Sequence, residues 1–136
     1  NRLEAEKLLG MEITTLEEAK QSAKDLTKLG CHSVVVKGGH IGTANVASDI
    51  LYSRDGGFQL FEQPRLERTT DHGTGCSFSA AIAAYLAKGL SIPDAVKNSK
   101  GLVWHAIKYG LPVGEGHGPV NPLALLYKKA KFTDLL

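Results

Sequence analysis

The chain has 136 residues, 43% hydrophobic and 22% charged with only five prolines, a composition that can bury a core and excludes disordered and collagen-like chains. Sixteen Lys and Arg against fourteen Asp and Glu leave a formal charge of +2 with no basic run, which argues against nucleic acid or a membrane surface as partner. No apolar stretch reaches the roughly 20 residues of a membrane helix, and two cysteines, Cys31 and Cys76, without CxxC or His at metal spacing, favour a reducing, cytoplasmic setting over a disulfide framework.

Residues 2–9 have helix-forming composition and stop at Gly10. Thr14 and Thr15 stand three residues ahead of Glu17 and Glu18, two overlapping capping boxes. Leu16, Ala19, Ala23, Leu26 and Leu29 follow at helical spacing, so a second helix is expected from about Leu16 to Leu29. Ser33 to Lys37 is a β-branched run ending at Gly38-Gly39, the pattern of a strand covered on both faces. Helix, short loop and such a strand make half of a βαβ repeat. Between Val46 and Glu62 two alternating runs flank Arg54-Asp55-Gly56-Gly57, an antiparallel hairpin, and Leu66 to Thr69 fits one more short strand.

Beyond Asp71-His72-Gly73-Thr74-Gly75-Cys76, residues Phe78, Ala81, Ile82, Tyr85 and Leu86 keep one helical face, and five alanines between 80 and 87 permit close packing. That predicts a buried helix ended by Gly89. Ser91 caps the next helix, with Pro93 in its first turn, Asp94 three residues on, and Ala95, Val96, Leu102, Val103, Ala106 and Ile107 on one side. Gly110 and Pro112 end it. A glycine-rich loop, Gly114 to Pro119, leads to a last amphipathic helix over Leu123 to Ala130.

The most informative segment is Gly73-Thr74-Gly75-Cys76, a small-residue turn directly before a helix. The first amides of a helix lack intrahelical acceptors and the macrodipole adds positive potential, so glycines that admit a close approach make an anion site there. The same field favours a thiolate at Cys76, which suits a base or a nucleophile. A plain glycine-rich connection with an inert, buried cysteine fits the local pattern equally well. Lys37-Gly38-Gly39-His40 ends a predicted strand, the edge at which open α/β sheets bind ligands, and a lysine there can hold phosphates as a point charge. On spacing alone a solvated strand-end lysine explains it better. Asn1 and Glu4 share one face of the first helix and by themselves are a cap and a first-turn acid. His117 reads more readily as structural than catalytic; His32, His105, Cys31 and Trp104 carry no motif.

Five segments in order resemble the ribokinase-like small-molecule kinases, and within them the hydroxymethylpyrimidine/phosphomethylpyrimidine kinases of thiamine biosynthesis. They are Asn1-Arg2-Leu3-Glu4, Val36-Lys37-Gly38-Gly39-His40, Asp49-Ile50-Leu51-Tyr52, His72-Gly73-Thr74-Gly75-Cys76 with the alanine-rich helix after it, and Gly116-His117-Gly118-Pro119-Val120-Asn121. Most ribokinase-like enzymes carry an Asp base after the GxG turn; the pyrimidine kinases carry Cys, as this chain does at 76. The resemblance implies a three-layer αβα fold with a mostly parallel sheet and a β-hairpin. It implies ATP-dependent phosphorylation of 4-amino-5-hydroxymethyl-2-methylpyrimidine and then of its monophosphate.

By resemblance, Cys76 deprotonates or orients the substrate hydroxyl, and the amides of Gly73, Thr74, Gly75 and Cys76 form the anion hole. Lys37, Gly38, Gly39 and Thr74 lie at the ATP phosphates, and Asn1 and Glu4 hold Mg2+ through water. Family members are about twice this long, so residues 1–136 read as the carboxy-terminal, nucleotide-binding and catalytic half of one kinase domain, expected to be inactive alone and a homodimer at full length.

A pyridoxal kinase of the same superfamily is the nearest rival, since pyridoxal also offers a hydroxymethyl group on a six-membered ring. A cysteine-nucleophile hydrolase would use Cys76 at an elbow-like turn, but no His/Asp pairing is evident in the sequence. A non-catalytic ligand-sensing module that keeps the fold is the third reading.

Overall fold

The computed structural model describes residues 1–38, 41, 44–67, 70–132, 134 and 136. Its elements are α1 (Arg2–Leu9), α2 (Leu16–Leu26) continued by a 3-10 turn (Thr27–Leu29), β1 (Ser33–Lys37), β2 (Val46–Ser53), β3 (Gly57–Pro64), α3 (Thr74–Ala87), α4 (Ile92–Lys108) and α5 (Ala124–Lys129). They fall into two compact units, Asn1–Arg65 and Leu66–Leu136. Among the described residues no helix is long and apolar enough to cross a membrane.

In the first unit both helices begin as their caps dictate. The Asn1 side chain accepts from the Glu4 amide at 3.0 Å, and α1 stops at Gly10 in the left-handed conformation. Of the two expected capping boxes, the one at Thr15 and Glu18 forms. Thr14 joins it, its amide and hydroxyl donating to the same Glu18 carboxylate at 2.8 and 2.9 Å, while Glu17 pairs with Lys20. Ala5, Ile13, Ala19, Ala23, Leu26, Val36, Ile41 and Ile50 make the core between helices and sheet. The first strand is fastened to the hairpin tip by His32, whose Nε2 lies 2.8 Å from Asp55 Oδ2, and by a 2.8 Å bond between the Ser33 and Ser53 hydroxyls.

The sheet departs from expectation. Its described strands run β1-β2-β3 and are antiparallel throughout, with Val35 opposite Leu51 and Leu51 opposite Gln59, so the hairpin is present but no parallel pairing is seen. A parallel neighbour for β1 requires another strand reached by a crossover helix, and the two strands that follow β1 are joined by a tight turn instead. Nor is β1 covered on both faces: only Val36 in it is buried. Leu66 and Glu67 are not in a strand, and Arg68 and Thr69, the rest of that expected strand, lie outside the described residues.

In the second unit α3 packs on α4 and α4 on α5. Ser91 caps α4 as expected, its hydroxyl accepting from the Asp94 amide at 3.3 Å, and Ala95, Val96, Val103 and Ala106 form its inner face. The expected burial of α3 is not observed. Phe78 is its one buried residue, and Ala80, Ala83, Ala84, Leu86 and Ala87 are exposed, because α4 covers only one side of an apolar helix.

Candidate functional site

The second unit carries the turn that the sequence singles out. The Thr74 amide donates to the Asp71 carbonyl at 3.2 Å, and Gly73 sits at φ 88°, ψ 1°. This is the third position of a type II turn, which requires a positive φ and so favours glycine. The chain then enters α3 directly, with Cys76 in the first helical turn as a free cysteine that is exposed and not buried. No side chain caps this helix. The Thr74 hydroxyl donates back to the Asp71 carbonyl, which ties it into the turn. The first helical bond runs from Ser77 to Gly73, leaving the amides of Gly75 and Cys76 without acceptors among the described residues. An uncapped, exposed helix start with free amides beside a thiol can receive an oxyanion.

A glycine-rich segment is attached to the same turn. The His72 amide donates to the Gly118 carbonyl at 3.2 Å and the Val120 amide to the His72 carbonyl at 3.0 Å, a parallel bridge between His72 and Pro119. His117 Nδ1 lies 2.9 Å from Asp71 Oδ1. This His/Asp pairing was not evident in the sequence, where the two residues stand 46 apart. The only local signal is an acid immediately before His72-Gly73. The ring's bond goes to Asp71 and not to the Cys76 thiol, so the arrangement is not that of a nucleophile-base pair.

The first unit carries the other expected residues. Lys37 ends β1 opposite Asp49 in the antiparallel register. The Gly38 amide is committed to the Ser48 carbonyl at 2.9 Å, and a Cβ at Gly38 would collide with that same oxygen. Glycine here permits close approach of chain to chain, and its amide is not free for a phosphate. Gly39 and His40 lie outside the described residues. Asn1 and Glu4 form the reciprocal cap of α1, the Glu4 carboxylate accepting from the Asn1 nitrogen. Asn1, Glu4, Leu8, Cys31 and Val34 to Val36 line one shallow groove beside β1.

The structure therefore brings Asn1, Glu4 and Lys37 together in one unit, and Gly73, Thr74, Gly75 and Cys76 with Asp71 and His117 in the other. Among the described residues no three or more His, Cys, Asp or Glu side chains gather as a metal-binding group.

The sequence profile of the phosphomethylpyrimidine kinase family matches residues 1–121. The chain belongs to this family. The hydroxymethylpyrimidine/phosphomethylpyrimidine kinase of Staphylococcus aureus (strain MRSA252) is 39% identical over 136 residues, 99% of this chain and 49% of its own. Ribokinase-like structures agree with the fold: the ADP complex of Bacillus subtilis pyridoxal kinase is 34% identical with a TM-score of 0.85, over 93% of this chain and 49% of that one. Staphylococcus aureus pyridoxal kinase in complex with AMP-PCP and pyridoxal is 32% identical with a TM-score of 0.86, over 92% and 46%. The chain spans about half the length of the curated relatives it matches.

Proposed function

We propose that this chain is the nucleotide-binding, phosphoryl-transferring part of a hydroxymethylpyrimidine/phosphomethylpyrimidine kinase. Its substrates on this reading are ATP and 4-amino-5-hydroxymethyl-2-methylpyrimidine, then the monophosphate of that pyrimidine. The observation that carries the reading is the uncapped start of α3, where the free amides of Gly75 and Cys76 adjoin the exposed Cys76 thiol. Phosphoryl transfer asks mainly for positioning and for stabilisation of charge on the transferring group, and such amides supply both. The Cys76 sulfur takes the proton of the substrate hydroxyl as the hydroxyl oxygen bonds to the γ-phosphorus. The bond from that phosphorus to the β–γ bridging oxygen breaks, and ADP leaves with the electron pair.

Lys37 is suited to neutralise phosphate charge as a mobile ammonium. Asn1 and Glu4 present oxygen donors on one exposed turn, too few to enclose a cation but compatible with Mg2+, which keeps several of its waters. When bound, Mg2+ supplies charge neutralisation at the phosphates. A reducing, cytoplasmic setting keeps the Cys76 sulfur from oxidation.

The structural likeness to pyridoxal kinases, one of them solved with AMP-PCP and pyridoxal, favours a second reading in which pyridoxal is the acceptor. Steady-state kinetics of the full-length protein with each acceptor decides between them. The pyrimidine should have the higher kcat/KM, and pyridoxal preferred by a wide margin would overturn the first reading.

A further inference from the structure

Three features of the second unit meet at one residue. Asp71 opens the type II turn, its carbonyl taking both the amide and the hydroxyl of Thr74, so its placement sets where Gly73 to Cys76 lie. The next residue, His72, is held on both sides by the backbone of Gly118 and Val120. Asp71 itself has no backbone bond to that segment, and its tie there is the side-chain bond from His117. His117 stands in the exposed stretch 111–117, just before Gly118 and Pro119, whose carbonyls accept from the His72 and Leu111 amides. An ionised carboxylate only accepts, so Nδ1 of His117 carries the proton in this bond.

We propose that His117 is a positioning residue for phosphoryl transfer: its Nδ1–H, through Asp71, fixes the turn whose amides face the transferring group. This rests on the kinase reading for its consequence, though not for its geometry. The pair is solvent-exposed, with side chains 74% and 56% accessible, so it contributes little to global stability. Its effect is on alignment, to which a reacting centre is far more sensitive. Substituting His117 should therefore slow the chemical step while leaving the fold and acceptor affinity in place.

The test uses the full-length protein with four variants: His117→Ala, His117→Asn, Asp71→Ala and the double variant His117→Ala/Asp71→Ala. The Asn amide puts an N–H close to where Nδ1–H stood, so it should restore what Ala removes. Expected is a roughly twofold to fivefold fall in kcat for each Ala variant, on the scale of one exposed charged contact, with KM for the acceptor unchanged. His117→Asn should be near wild type, and the double variant no worse than either single.

Amide chemical shifts of Gly73 to Cys76 provide a readout independent of turnover. They should move in His117→Ala and return in His117→Asn. Unmoved amides, multiplicative losses in the double variant, or failure of Asn to rescue would each overturn the proposal. If the protein phosphorylates neither acceptor, the kinase reading fails, and the amide shifts still decide whether His117 positions the turn.

Discussion

Gly73 is where the backbone and the chemistry meet. Its φ of 88° is open to glycine and costs an L side chain about 1–2 kcal/mol. Gly73→Ala should destabilise the protein by about that much in urea unfolding and weaken nucleotide binding, because the turn must shift away from the geometry that frees the amides of Gly75 and Cys76. Retained stability together with retained nucleotide affinity would show that the turn tolerates another conformation. The placement of Cys76 in the first turn of α3 was legible in the sequence, because a GxG turn before a helical pattern is a local signal. Thr74 is a refinement: named there as a phosphate contact, it donates both its amide and its hydroxyl to Asp71 and shapes the turn. His117 escaped the sequence because its partner is 46 positions away, and separation on that scale carries no periodic signature.

Among the elements, the helix starts were the most legible, since Asn1, Thr15 and Ser91 each lie within three residues of the amide they accept from. The Thr15 start also has a consequence for pH. The Glu18 carboxylate is pushed down from 4.5 to about 2 by hydrogen bonds from the amides of Thr14 and Thr15, and then by their hydroxyls. A carboxyl lowered on folding stabilises the native state above its unfolded value, and the contribution is lost as the pH falls through the folded one. Stability should therefore drop between pH 4.5 and about 2, with a shallower slope in Glu18→Ala. Urea unfolding at stepped pH measures this, and equal slopes would contradict it. The hairpin was likewise legible from Arg54-Asp55-Gly56-Gly57. The burial of α3 was misread, because an apolar composition records what a helix can bury and not what the rest of the chain provides to cover it. Its exposed alanines and Leu86 remain uncovered beside α4.

At the scale of the whole molecule, the family was legible because five short motifs fall in order along the chain, and the profile match over residues 1–121 bears that out. The mostly parallel sheet that the resemblance implied is not seen, because strand pairing depends on partners far away in sequence and the described strands of this chain pair only with one another, antiparallel. The chain spans about half the length of the curated relatives it matches, and among the described residues the groove beside β1 and one face of α3 are open. Function must accordingly be measured on the full-length protein. The central claim is that Cys76 takes the proton as the phosphoryl group moves. The most direct measurement is the rate of ATP-dependent phosphorylation of the hydroxymethylpyrimidine by full-length Cys76→Ala. We predict a fall of about 10²–10⁴-fold, the usual worth of a positioned base, with ATP still bound; turnover close to that of the unsubstituted protein would contradict the account.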